Sequence, residues 1–176
     1  MTGSSHHKSY PYAEGCIDIV NEKIPESQIV LVGELACRGM IEKRIRIYDT
    51  CGQFGIRKSL VLIKTADLLV SPETATAVGA GAFETPLVVL LSHSSEENLT
   101  KYYKNCIPVY ESSLRCYPCH QLHFFSESCP LEEIYPGLKV PKCVGLLHPK
   151  KVLDAIEKQY LIWRKNNGSP DSTYNH

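Results

Sequence analysis

The feature that most constrains this chain is the run Leu87-Val88-Val89-Leu90-Leu91-Ser92. It is apolar from end to end until its closing serine. It lacks the polar alternation of a strand with one face in water, so it reads as a strand covered on both faces, as in a parallel sheet. Gln28-Ile29-Val30-Leu31-Val32-Gly33 and Asp67-Leu68-Leu69-Val70-Ser71 are runs of the same kind. Helical spacing fills the intervals. Ala13 to Lys23 carries Cys16, Ile17, Ile19 and Val20 at that spacing, and Ile56 to Thr65 repeats the pattern. Thr74 to Phe83 is rich in Ala and Gly, whose small side chains let a helix lie close to a sheet. Thr85-Pro86 ends it. Pro149 to Asn166 is amphipathic, with Val152, Leu153, Ile156, Tyr160 and Trp163 on one face.

Weaker signals complete the pattern. Ile45, Ile47 and Tyr48 suggest a short strand ending at Asp49, and Glu34 to Glu42 reads as loop and helix. Ile107-Pro108-Val109-Tyr110 reads as an edge strand, because Pro108 cannot donate to a ladder. Ser94 and Glu97 have capping-box spacing ahead of a helix over Asn98 to Lys104. Alternating strands and helices define an α/β class with a Rossmann-like, largely parallel sheet and flanking helices. The 176 residues suit one domain. The expected limits are a disordered lead over residues 1–12, the domain over 13–167 with an irregular Cys-rich segment at 116–143, and a tail over 168–176.

Charge excludes some functions. Lys+Arg and Asp+Glu number 19 each, a neutral balance that argues against a general nucleic-acid binder. No run of about 18 apolar residues offers a membrane span. Met1 to Tyr10 is polar and lacks an apolar signal core, so a cytoplasmic location is expected. The Asn98-Leu99-Thr100 sequon carries no meaning there.

Open parallel sheets bind ligands outside the carboxyl ends of their strands. One such end is Val70-Ser71-Pro72-Glu73-Thr74-Ala75, where a strand turns into a helix. The first amides of that helix lack partners within it and, with its dipole, suit phosphate. Thr74 would add a hydroxyl, Ala75 and Ala77 keep the approach open, and Glu73 would accept from a ribose or sugar hydroxyl. Equally, Glu73 or Thr74 would simply cap the helix. The second end is Ser92-His93-Ser94-Ser95, where His93 would touch phosphate or act as an acid, or lie exposed as an ordinary loop histidine. Gly33 and Glu34 form a third candidate. Separately, Cys116-Tyr117-Pro118-Cys119 is a C-x2-C knuckle, followed by Cys129 and Cys143, with His120, His123 and His148 nearby. Four thiolates, or three with a histidine, would hold a structural zinc. The alternative is free thiols. Redox chemistry fits poorly, since the knuckle lies in a loop region.

These pieces resemble the family 9, heptosyltransferase-type glycosyltransferases. The family carries a run of the form A-D-L-V-V-S-x-D-T/S-G-x-x-H-x-A-A-A-x-x-x-P-x-V-x-L. Ala66 to Leu90 is similar to it without a gap through Pro86. Cys51-Gly52-Gln53 through Leu60 to Ile63 resembles an upstream helix of the family, and Gln28 to Gly33 its preceding strand. Cys116 to Cys119 with Cys129-Pro130 is similar to its C-x-P-C…C-P element. The likeness spans Ile24 to Lys165.

The resemblance implies one lobe of a GT-B enzyme, the half that binds a nucleotide-sugar donor such as an ADP-heptose, for transfer to lipopolysaccharide or a related glycan. It implies that the acid-threonine-glycine turn gripping the donor falls on Glu73, Thr74 and Ala75. It implies no required cofactor, and no sugar transfer by this lobe alone unless a second chain supplies the acceptor lobe and its catalytic base; a fragment, a split enzyme and a truncated product all stay open. Three positions depart from the pattern. Glu73 replaces Asp, Ala75 replaces Gly, and Val78 stands where the family has His. The departures keep open a non-catalytic binding module, stabilised by zinc, built on the same fold.

Overall fold

The computed structural model describes residues 8–39, 41, 45–121 and 129–168. The elements run α1 (Ala13–Lys23), β1 (Ile29–Leu31), β2 (Ile47–Asp49), α2 (Ile56–Thr65), β3 (Leu69–Pro72), α3 (Ala75–Phe83), β4 (Leu87–Leu90), β5 (Cys106–Val109), β6 (Glu132–Tyr135), β7 (Leu138–Pro141), α4 (Lys142–Gly145) and α5 (Pro149–Asn167). Strands β3, β4 and β5 form a parallel three-stranded sheet with β4 in the middle. β1 and β2 form a separate parallel pair, and β6 with β7 an antiparallel hairpin.

β4 organises the packing. Successive side chains of a strand point to opposite faces. Leu87, Val89 and Leu91 therefore enter one core with Ile63 of α2 and Ala77 and Ala80 of α3. Val88 and Leu90 enter the other, with Cys16 of α1 and Val152, Ala155 and Ile156 of α5. All four residues of β4 are buried. On the first side α3 lies close, as its small residues predict. A Cβ on Gly79 would stand 2.7 Å from the Leu60 side chain, and one on Gly81 2.5 Å from the Tyr103 ring.

Several expectations need correction. β1 is not covered on both faces: Val30 is 43% exposed, and neither buried core includes a residue of β1. Glu34 to Glu42 yields a single 3-10 turn at Leu35–Cys37, with Met40 and Glu42 outside the described residues. Ser95, not Ser94, caps the next segment. Its hydroxyl accepts from Asn98 N, and only one π-helical turn, Glu96–Thr100, follows. The expected disordered lead does not take in residues 8–12. Lys8 to Tyr12 is packed on the domain, with Ser9 and Tyr10 buried and the Tyr10 hydroxyl donating to the Leu147 carbonyl at 2.9 Å. Residues 1–7 and 169–176 lie outside the described residues. The segment 116–143 contains the hairpin β6–β7, turned by Pro136-Gly137 with Gly137 at φ 70°.

Leu87→Ala should lower unfolding free energy by about 2–5 kcal/mol, as a cavity opens in a tight core. Val30→Ala should change it by less than about 0.5 kcal/mol. Urea unfolding of both variants checks the contrast, and equal effects would refute this assignment of the core.

Candidate functional site

The carboxyl ends of β3 and β4 lie side by side, with Pro72 opposite Leu90 in the register. Beyond them Glu73 and the Ser92–Ser94 loop meet. Glu73 Oε1 accepts from the amides of Ser92 (3.0 Å) and His93 (2.9 Å), and Oε2 from the amide of Ser94 (3.1 Å). The Ser92 hydroxyl donates to Oε1 as well. His93 Nδ1 lies 2.5 Å from the same oxygen. Glu73 is only 6% exposed. Burial alone would raise its pKa. The hydrogen bonds from His93 and Ser92 outweigh that and hold it at about 2.

This geometry decides between the two roles read from sequence. Glu73 does not cap α3, and most of its acceptor capacity is taken by the loop. It ties the β4 loop to the end of β3 across 19 to 21 residues of sequence. His93 is correspondingly no idle surface histidine. Its side chain is 18% exposed and anchored through Nδ1.

Thr74 occupies the N-cap position of α3 without a side-chain capping bond. Its hydroxyl turns instead to Thr76 Oγ1 at 2.7 Å and Ser71 Oγ at 3.2 Å. The first-turn amides of α3 thus have no side-chain cap. Ala75 and Val78, three residues apart and so on one face, are both exposed. Lys8 also reaches this place, its ammonium donating to the Glu73 carbonyl at 2.9 Å. Sequence reasoning missed Lys8, because nothing local marks a lead residue that docks 65 positions away.

The remaining candidates are not tied to Glu73, although the knuckle adjoins the loop, the His120 amide donating to the His93 carbonyl at 2.9 Å. Gly33 packs against Cys37 and Cys51, and its carbonyl accepts from Gly52 N. Glu34 is exposed at the end of β1. Ser95 is spent on its cap. Cys116, Cys119, Cys129 and Cys143 form no disulfide. Burial first, and then the charges of Cys129, Cys119 and Cys116, push the Cys143 thiol up to about 12. Among the described residues, however, no three His, Cys, Asp or Glu side chains stand close enough to hold a metal as placed. His123 lies outside the described residues. Among them no helix is long and apolar enough to cross a membrane.

No family model matches the chain, and no curated protein matches it in sequence. Among solved structures it is similar to the E. coli ADP-heptose lps heptosyltransferase II, with a TM-score of 0.65 and 14% identity. The likeness covers 92% of this chain and 45% of that one, so this chain spans less than half the length of its match. The fold is therefore a parallel α/β lobe of the GT-B heptosyltransferase type.

The Glu73 tie carries a pH signature. Its folded pKa of about 2 lies below the ordinary 4.5, so its contribution is present above pH 4.5 and is lost as pH falls from there toward 2. The displacement corresponds to roughly 3 kcal/mol. Urea unfolding at pH 6 and pH 3 should show a smaller acid loss in Glu73→Gln than in the unsubstituted chain. An equal loss would mean that Glu73 is not the group responsible.

Proposed function

We propose that this chain is a nucleotide-sugar donor-binding lobe of a glycosyltransferase, holding the donor diphosphate where β3 turns into α3. The observation that carries this reading is the N-terminus of α3. Its amides lack a side-chain cap, its exposed face at Ala75 and Val78 is open, and hydroxyls from Ser71, Thr74 and Thr76 cluster at its base. Amides and dipole there favour a phosphate. The β4 loop, fixed by Glu73, brings His93 and Ser94 to the same end of the sheet. The fold likeness supports a nucleotide-sugar donor, because the similar protein is by name an ADP-heptose lps heptosyltransferase. Sugar transfer, to lipopolysaccharide or a related glycan, would need an acceptor lobe and a base from elsewhere, since no residue of this lobe is assigned that role.

Titration calorimetry with ADP and ADP-sugars tests the reading, and binding is expected. Ala75→Asp is the sharper arm. A carboxylate in the first turn suits the helix dipole and should leave the fold intact. It should nonetheless weaken ADP at least tenfold by like-charge repulsion. Absence of heat with the unsubstituted chain would overturn the donor reading in favour of a non-catalytic module.

A second reading concerns stability. Cys116 and Cys119 have C-x2-C spacing and, with Cys129 and Cys143, offer the four-thiol donor set of a structural zinc, which would have to draw them closer than they stand. Zinc there would be structural. Metal analysis of chelator-free protein should give about one zinc per chain. Cys116→Ser and Cys119→Ser should lower melting temperature while leaving ADP affinity unchanged. Metal-free protein of full stability would discard the site.

A further inference from the structure

We infer that Lys8 is a donor-diphosphate contact, and that the residue 8–12 arm is a working part of the crevice; this rests on the donor-binding reading above. The arm is built to stay in place. Ser9 and Tyr10 are both 3% exposed. The Tyr10 hydroxyl donates to the Leu147 carbonyl at 2.9 Å, and the ring meets Tyr12 edge-on with centroids 5.6 Å apart. Tyr10 belongs to the same core as Val88 and Leu90 of β4. The segment is therefore fixed to the strand whose loop closes the site.

From that anchor Lys8 crosses to Glu73, the residue directly before the N-cap of α3, and donates to its carbonyl at 2.9 Å. An ammonium carries three donors and no acceptor, so this bond leaves donors to spare. The charge balance of the crevice gives them a use. The buried Glu73 carboxylate is ionised, held at about 2, and would oppose a diphosphate arriving beside it. A cation on the backbone of the same residue offsets that opposition. The carbonyl contact holds Lys8 beside the α3 N-terminus without neutralising it, since a carbonyl is no counter-ion.

ADP titrated into three chains tests the inference. Lys8→Gln should weaken ADP roughly ten- to a hundredfold, the usual effect of losing a hydrogen bond to a charged group. Lys8→Arg should stay within about threefold of the unsubstituted chain. The melting temperature of Lys8→Gln should remain close to that of the unsubstituted chain, which separates a ligand contact from a structural one. Raising salt should weaken ADP less steeply for Lys8→Gln, because one phosphate-facing cation is gone. If the unsubstituted chain binds ADP and Lys8→Gln binds it equally well, this inference fails while the donor reading stands. If the unsubstituted chain does not bind ADP, both fall.

Discussion

Everything in this lobe depends on β4 being apolar on both faces. A strand in water-facing surroundings alternates; β4 does not, and its side chains are divided between two cores. One core recruits α2 and α3, the other α1 and α5. That division fixes the sheet between two helical layers and sets β3 and β5 against the edges of β4. Site geometry follows from it. β3 and β4 are parallel, so their carboxyl ends come out on the same side. Glu73 and the Ser92–Ser94 loop are neighbours for that reason, although 19 residues separate Glu73 from Ser92.

The Glu73 tie converts that adjacency into a rigid wall. A buried carboxylate is costly unless it is fully hydrogen-bonded. Here three amides and the Ser92 hydroxyl meet it, with the His93 ring beside it. Satisfying the charge and ordering the loop are one event. Glu73 is one methylene longer than the Asp of the family pattern. The extra reach suits an acid that crosses to the next strand end rather than one that contacts a ligand at its own turn.

Much of the fold was legible because it is written in local periodicity. α1 and α2 begin and end where apolar spacing does, α3 and α5 lie within one residue of it, and Pro108 marks β5 as the sheet edge. The hairpin β6–β7 was also within reach, since Pro136-Gly137 is a turn signal between two short runs. It was obscured by the cysteines around it, which drew attention to metal chemistry. Other features were not legible. The partners of Glu73 are main-chain amides, which every residue possesses, so no side-chain pattern announces them. Ser94 and Ser95 are equivalent as caps in sequence. Glu73 distinguishes them, because it takes the Ser94 amide while the Ser95 hydroxyl turns to Asn98 N. Lys8 looked like part of a polar lead, and only the burial of Tyr10 reveals the arm.

The three departures from the family pattern fall where fold and function separate. Ala75 and Val78 are exposed on the open face of α3, while Ala77 and Ala80 on its inner face are fully buried. Changes at 75 and 78 therefore alter what meets a ligand and leave the helix seated on α2 and β4. Glu73 is the converse. It is buried, its change of length is absorbed by bonds within the chain, and it holds the loop that forms the far wall. Two of the departures thus change the exposed face of α3, and the third is absorbed by bonds within the chain. In the proposed donor site, the amides, hydroxyls and cation that a diphosphate needs would come from α3, from Ser71 with Thr74 and Thr76, and from Lys8. The lost glycine and histidine positions would have added closeness and one hydrogen bond. Under that proposal their absence would alter how tightly a donor is gripped more than where it is gripped.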